Sequence, residues 1–355
     1  MRALTCDHLY LLSMFVVITH SLDQKPYSPL LSKTQNYEVA PGINYEYIYV
    51  KDSGSSNSKP TLLFLHGFPS SLYSWRHQIA YFSQQGYDIV APNLMGYGKT
   101  YSPLDKDKYK IKSMVEHLVV LLDYLDVNSV IVIGHDWGTR VTSRFVLYHP
   151  ERTLGIALIS GGYSAPAIFD LDRALEASKN AIGYENLGYW KFFEADDAAT
   201  IIESNLDSFI DLAFASDPTL WKTNFAPVGK VRQWLANGNR TTRDSYMTED
   251  DYATFRQYLA EGMQPKLNWY KALIANLDWN DEKRLDPVIQ RPVLLIGGTQ
   301  DYVSLIASYG GPNKYIADLE TVALETGHWV MEQNPDAVNR QIQRWIQRIL
   351  SSPRN

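Results

Sequence analysis

The clearest chemical capability in this chain belongs to a carboxylate at the centre of a tight turn. In Gly134-His135-Asp136-Trp137-Gly138 the turn follows a β-branched run, Ser129 to Ile133, and precedes a helical pattern, Thr139 to Tyr148. This is the spacing of a nucleophile elbow, in which small residues flank the reactive group two positions away on each side. A Cβ at those flanking positions would collide with neighbouring backbone. The central side chain is held out beside a helix N-terminus, whose partial positive charge suits an anion. Residue type then decides the reaction. A serine there would attack acyl carbon. A carboxylate displaces a leaving group from saturated carbon, giving an alkyl ester that water must cleave. The substrates this predicts are epoxides or alkyl halides. The alternative is a buried aspartate that merely caps the following helix.

Cleaving such an ester requires a general base oriented by a carboxylate. On a sheet with this elbow the chain order is nucleophile, acid, histidine. Of the eight histidines, only His149 and His328 follow Asp136. His149, in Tyr148-His149-Pro150, ends the next helix and falls on the wrong side of the sheet. His328, in Thr326-Gly327-His328-Trp329, lies just past the last strand-like run, so it is the candidate base. Asp301, after Gly297-Gly298-Thr299-Gln300, is the candidate acid, and Asp170 is its competitor. In His66-Gly67-Phe68-Pro69, Gly67 permits an unusual backbone and Pro69 stiffens it. The N–H groups of Phe68 and Trp137 are the expected oxyanion hole. His66 and His135 are read as supporting residues.

These residues need elements to hold them. Apolar runs at Tyr47–Val50, Thr61–Leu65, Asp88–Ala91, Ser129–Ile133, Leu154–Ile159, Val293–Ile296 and Glu320–Leu324 are mostly continuous rather than alternating. Strands buried on both faces of a parallel sheet read this way. Helical patterns alternate with them: Met114 to Leu125, Thr139 to Tyr148, and a C-terminal helix with Asn334 as N-cap and Pro335 at its first position. The alternation predicts a doubly wound α/β sheet. It stops from about Tyr163 to Asp286, where helical, aromatic and acidic character replaces it. That stretch is expected to be an inserted helical cap at the ligand-binding edge of the sheet; the alternative is an independent second domain.

Composition narrows the function classes. A net charge of -6 and no dense Lys/Arg run exclude a nucleic-acid partner from the expectation. The single cysteine, Cys6, allows neither an intrachain disulfide nor a paired-cysteine zinc site. No His-Glu-x-x-His or phosphate-binding glycine loop occurs, so neither metal nor cofactor is expected. At the N-terminus, Arg2, the apolar run Leu9 to Thr19, and Thr19-His20-Ser21 predict a targeting segment over residues 1–21. Secretion or entry into the secretory lumen follows from it. A retained segment would instead give transient membrane association. The sequon Asn239-Arg240-Thr241 is compatible with the lumenal route.

His66-Gly67-Phe68-Pro69, Ser74-Trp75-Arg76-His77-Gln78, Gly96-Tyr97-Gly98, the Asp136 turn and Leu267-Asn268-Trp269-Tyr270 together resemble the α/β-hydrolase-fold epoxide hydrolases over residues 40 to 350. The resemblance implies an α/β-hydrolase fold, with core segments 22–162 and 287–355 and a helical cap over 163–286. It also implies two cap tyrosines that hydrogen-bond the epoxide oxygen. Tyr270 is one by its Asn-Trp-Tyr context. Tyr189 is the other, with Tyr184 a substitute. The implied reaction opens a small apolar epoxide with water to a vicinal diol. A haloalkane dehalogenase shares the Asp elbow, but position 68 is Phe rather than a halide-binding Asn. Fluoroacetate dehalogenases share a similar HGFP block, but favour Arg where this chain has Trp137. A catalytically silent ligand-binding protein is the remaining alternative.

Overall fold

The computed structural model describes residues 32–52 and 59–351. The expected targeting segment at 1–21 lies outside the described residues. Eight strands form one sheet in the order β1-β2-β4-β3-β5-β6-β7-β8. They are β1 Gln35–Ala40, β2 Ile43–Val50, β3 Thr61–Leu65, β4 Ile89–Pro92, β5 Val130–His135, β6 Thr153–Ile159, β7 Val293–Gly298 and β8 Leu319–Leu324. The β1–β2 and β2–β4 pairs are antiparallel, and every other pair is parallel.

The continuous apolar runs occupy the middle of this sheet. All residues of β3, β4, β5 and β7 are buried. Helices cover both faces of such strands, so neither face needs polar residues. β1, Gln-Asn-Tyr-Glu-Val-Ala, was not expected from the sequence. It is a half-exposed edge strand, and its polar residues hide the pattern that marks the centre. The helix Arg76–Gln84 was also unforeseen.

Other elements follow their sequence signals. Helix Ile111–Tyr124 buries Met114, Val115, Leu118, Leu121 and Leu122, one face at helical spacing. Helix Pro335–Ser351 starts where the Asn334 Oδ1 accepts from the Ala337 N–H at 3.2 Å. It lays Val338, Ile342, Trp345 and Ile346 into the core. Each such buried side chain contributes about 1.5–3 kcal/mol.

Between β6 and β7 the described residues form helices and no named strand. They run from Leu171–Ile182 to Trp279–Glu282. The aromatic residues of this stretch pack onto the loops at the strand ends. Phe68 meets Phe193 and Tyr270, each at 5.2 Å between ring centroids, and Trp137 stacks on Trp190 at 5.4 Å. Polar ties add to this. Trp269 Nε1 donates to the Met95 carbonyl at 2.9 Å, and Trp329 Nε1 to that of Ala213 at 2.8 Å. Arg76 is buried between Glu332 and Asp251, at 2.6 and 3.1 Å.

Candidate active site

The sharp turn after β5 places Asp136 at φ 51°, ψ −120°, a conformation that L-residues rarely adopt. Holding it there costs on the order of 1–3 kcal/mol, offset by surrounding structure. Gly134 and Gly138 make the turn possible. A Cβ at Gly134 would overlap the Gly138 carbonyl, and one at Gly138 would overlap that of Leu65. Asp136 stands at the N-terminal boundary of helix Trp137–Tyr148, yet its side chain makes no capping hydrogen bond. Instead its Oδ1 accepts from the Phe68 N–H at 2.8 Å. The adjoining Trp137 amide also favours the charged carboxylate. Burial raises the Asp136 pKa, while His328 and these two amides oppose the rise.

The other carboxylate oxygen, Oδ2, lies 3.6 Å from His328 Nε2. His328 Nδ1 is 2.7 Å from Asp301 Oδ2. The second oxygen of Asp301 accepts from the Val303 and Ser304 amides at 3.0 and 2.9 Å, which fixes the carboxylate in the turn after β7. Burial alone would depress the His328 pKa. The neighbouring Asp301 carboxylate, its hydrogen bond to the ring, and Asp136 together outweigh burial and hold it above the ordinary value. Residues from the ends of β5, β7 and β8 therefore meet at one point.

The remaining candidates fall around this centre. His66 is fully buried and held near pKa 4 by that burial. Its Nε2 accepts from the Leu94 N–H at 2.9 Å, so it is a neutral ring bracing the loop that carries Phe68. Gly67 lies against Asp136, where a Cβ would overlap the carboxylate. The Phe68–Pro69 peptide is cis. His135 Nε2 lies 3.0 Å from the His328 carbonyl. Tyr270 and Tyr189 are buried with ring centroids 6.0 Å apart. Burial drives both phenol pKa values up, and Asp136 pushes in the same direction, so both hydroxyls stay protonated.

The alternatives named from the sequence lie elsewhere. The Tyr184 hydroxyl donates to the Tyr302 carbonyl at 2.8 Å, pinning the loop that carries Asp301 rather than facing Asp136. Asp170 accepts from the Arg173 N–H and caps helix Leu171–Ile182. His149 sits between Glu116 and Glu151 at the far end of its helix. Ser160 escaped sequence reasoning. At φ 49° just past β6, it donates its hydroxyl to the His328 carbonyl at 2.7 Å. A serine before Gly161-Gly162 carries no signal that points across 168 residues to a histidine backbone. Among the described residues, no group of three or more His, Cys, Asp or Glu side chains is arranged to hold a metal ion.

A cavity of about 300 Å³ opens beside Asp136 and Trp137 and is walled by Tyr189, Trp190, Phe169 and Leu273. A carboxylate with one oxygen held by an amide and the other free beside a histidine can attack carbon, and water can then regenerate it.

Comparison with known proteins agrees with this geometry. Residues 60–335 match the family described as the alpha/beta hydrolase fold. Epoxide hydrolase 3 of Siraitia grosvenorii is 31% identical, over 85% of this chain and 98% of that protein. The mouse bifunctional epoxide hydrolase 2 is 28% identical over 89% of this chain; the match spans only 55% of that longer protein. A laboratory evolved variant of potato epoxide hydrolase superposes with a TM-score of 0.71 at 26% identity, over 89% of this chain and all of that one.

Proposed function

Because this chain belongs to the alpha/beta hydrolase fold family, we propose that it is an epoxide hydrolase working through an Asp136 ester. The observation that carries the reading is the asymmetry of the Asp136 carboxylate. Oδ1 is held by the Phe68 amide, and Oδ2 is left beside His328. The helices between β6 and β7 act as a cap that brings Tyr189 and Tyr270 over it. The epoxide names of the relatives support the choice of substrate.

In the first step Oδ2 attacks a ring carbon, and the C–O bond breaks. The tyrosine hydroxyls stabilise the departing oxygen and supply its proton. In the second step His328 takes a proton from water, and Asp301 stabilises the resulting imidazolium. The hydroxide attacks the Asp136 carboxyl carbon. Negative charge develops on Oδ1, where the Phe68 amide already points, with the Trp137 amide beside the carboxylate. Collapse expels the diol oxygen, which takes the proton held by His328, and the proton left on the Asp136 carboxyl returns to the tyrosinate, so Asp136, His328 and the tyrosine pair are all regenerated. The sum is epoxide plus water to vicinal diol.

A single turnover in heavy-oxygen water tests this. The label should enter the Asp136 carboxylate, because water attacks that carbon and not the substrate. Label found only in the first diol released would reject the ester route. Replacing Tyr270 by Phe should lower kcat/KM by about 10²-fold, the usual loss for one donor to a developing oxyanion. Replacing both Tyr189 and Tyr270 should lower it further, and diol formation followed at saturating and limiting substrate measures each. A haloalkane dehalogenase would release halide and keep its rate in the double variant. Passage into the secretory pathway is proposed on the run Leu9 to Thr19 and the Asn239 sequon. Glycosidase-sensitive mass on the expressed protein would support it.

A further inference from the structure

The cavity beside Asp136 has an unexpected wall. Opposite the apolar side chains of Ile168, Phe169, Leu187 and Leu273 runs helix Trp137–Tyr148, which presents Arg140 and Arg144 to the same space. Arg140 and Arg144, four apart, share a helix face, and Asp136 stands at the boundary of the same helix, so all three line one cavity. They are the charged residues lining it.

We propose that Arg140 binds a carboxylate carried by the substrate, so that the preferred substrate is a compact epoxide with a carboxylate about one helical turn from the oxirane. The inference rests on the epoxide hydrolase reading above and names its substrate class. Asp136 and Arg140 are four residues apart, about 6 Å of backbone at helical rise, so a compact substrate is the kind that would span them.

The two arginines are not equivalent. Arg144 is spent on structure. It keeps 1% of its side chain exposed, donates Nη1 to the Ser164 carbonyl at 2.8 Å, and sets Nη2 and Nε 2.9 and 2.8 Å from Glu282. Arg140 keeps 16% exposed and reaches Asp278 and Glu282 only through Nη2, at 3.2 and 3.4 Å. Its Nε is buried, and Nη1 makes no hydrogen bond among the described residues, so Nη1 is the donor left for a ligand. A guanidinium donates from a planar fork suited to a carboxylate, and the Nη1 end of Arg140 is the part of it not engaged by Asp278 and Glu282.

Charge placement favours an anion. Asp278 and Glu282 do not line the cavity; they stand behind the arginines. A ligand entering the cavity meets the guanidinium before its counter-ions. A carboxylate lodged near Asp136 without a cation would be repelled by the nucleophile, and Arg140, though it shares Asp278 and Glu282 with Arg144, lessens that repulsion. If Arg140 served only to tie its helix to the segment carrying Glu282, the Arg144 pair would already do so. A largely buried cation on the wall of the pocket carries a desolvation cost that a leucine would not.

The test compares a terminal epoxyhexanoate, its methyl ester and epoxyhexane. The wild-type enzyme should favour the acid over the ester by about tenfold or more in kcat/KM. Arg140→Gln should bring that ratio close to one, and Arg140→Lys should recover part of it. Hexanoate should inhibit epoxyhexane turnover competitively, and hexanol at the same concentration should not. These two wild-type measurements decide the matter even if Arg140→Gln fails to fold. Equal rates for acid and ester, no inhibition by hexanoate, or an acid preference that survives Arg140→Gln each overturn the inference while leaving the epoxide reading standing. No turnover of any of the three epoxides overturns the epoxide reading, and this inference with it.

Discussion

Asp136→Asn lowers kcat/KM for epoxide opening by at least about four orders of magnitude, a loss of the size seen when a covalent nucleophile is removed. The substitution is chosen to isolate chemistry from folding. Asparagine has the same shape and tolerates a positive φ better than most residues, so the strained turn is kept. Its amide oxygen can still accept from the Phe68 amide. What is lost is the free anionic oxygen 3.6 Å from His328. Four orders of magnitude correspond to about 5.4 kcal/mol of transition-state stabilisation. An unchanged melting temperature together with the rate loss would assign Asp136 to the chemistry. A rate within tenfold of wild type would remove it from the mechanism.

The second large effect divides the reaction in two. His328→Gln leaves Asp136 able to attack but removes the base that activates water. The expected result is a rapid burst of about one equivalent of epoxide consumed. It is followed by turnover slower by about 10³–10⁴-fold, the range for loss of a general base within a triad. Intact-mass measurement should find the protein heavier by the mass of one substrate, and digestion should place the adduct on the peptide containing Asp136. Because the neighbouring carboxylates hold the His328 pKa above its ordinary value, ester cleavage in the wild type should slow as pH falls through that value, when the ring becomes protonated. Absence of a burst, with both half-reactions slowed equally, would count against this division of labour.

Much of the frame is legible in the sequence for a simple reason. Strands buried on both faces must be apolar throughout, so β3, β5, β6 and β7 announce themselves. The elbow is legible because its sterics leave only glycine or another small residue at 134 and 138. Edge strand β1 is not legible, since half-exposed Gln-Asn-Tyr-Glu carries no burial signal. Side chains whose partners are remote in sequence are equally silent. The Ser160 hydroxyl, the Tyr184 bond to the Asp301 loop, and the unengaged Nη1 of Arg140 depend on contacts that no local spacing encodes. Choosing between Tyr184 and Tyr189 needs the fold for the same reason. A tyrosine among 24 is distinguished only by what it faces.

The His328 carbonyl takes a hydroxyl from Ser160 past β6 and lies against His135 at the end of β5, while the His328 ring leans on Asp301 past β7. The last-arriving member of the site is therefore docked by everything that precedes it. During synthesis the carboxylate at 136 leaves the ribosome long before residue 328 does, and it waits without a working base. A chain shortened ahead of β8 would lack both His328 and the helix Pro335–Ser351 that fills the core, and would hold no working site. Recovered turnover in a refolding time course thus times the docking of the segment past β8.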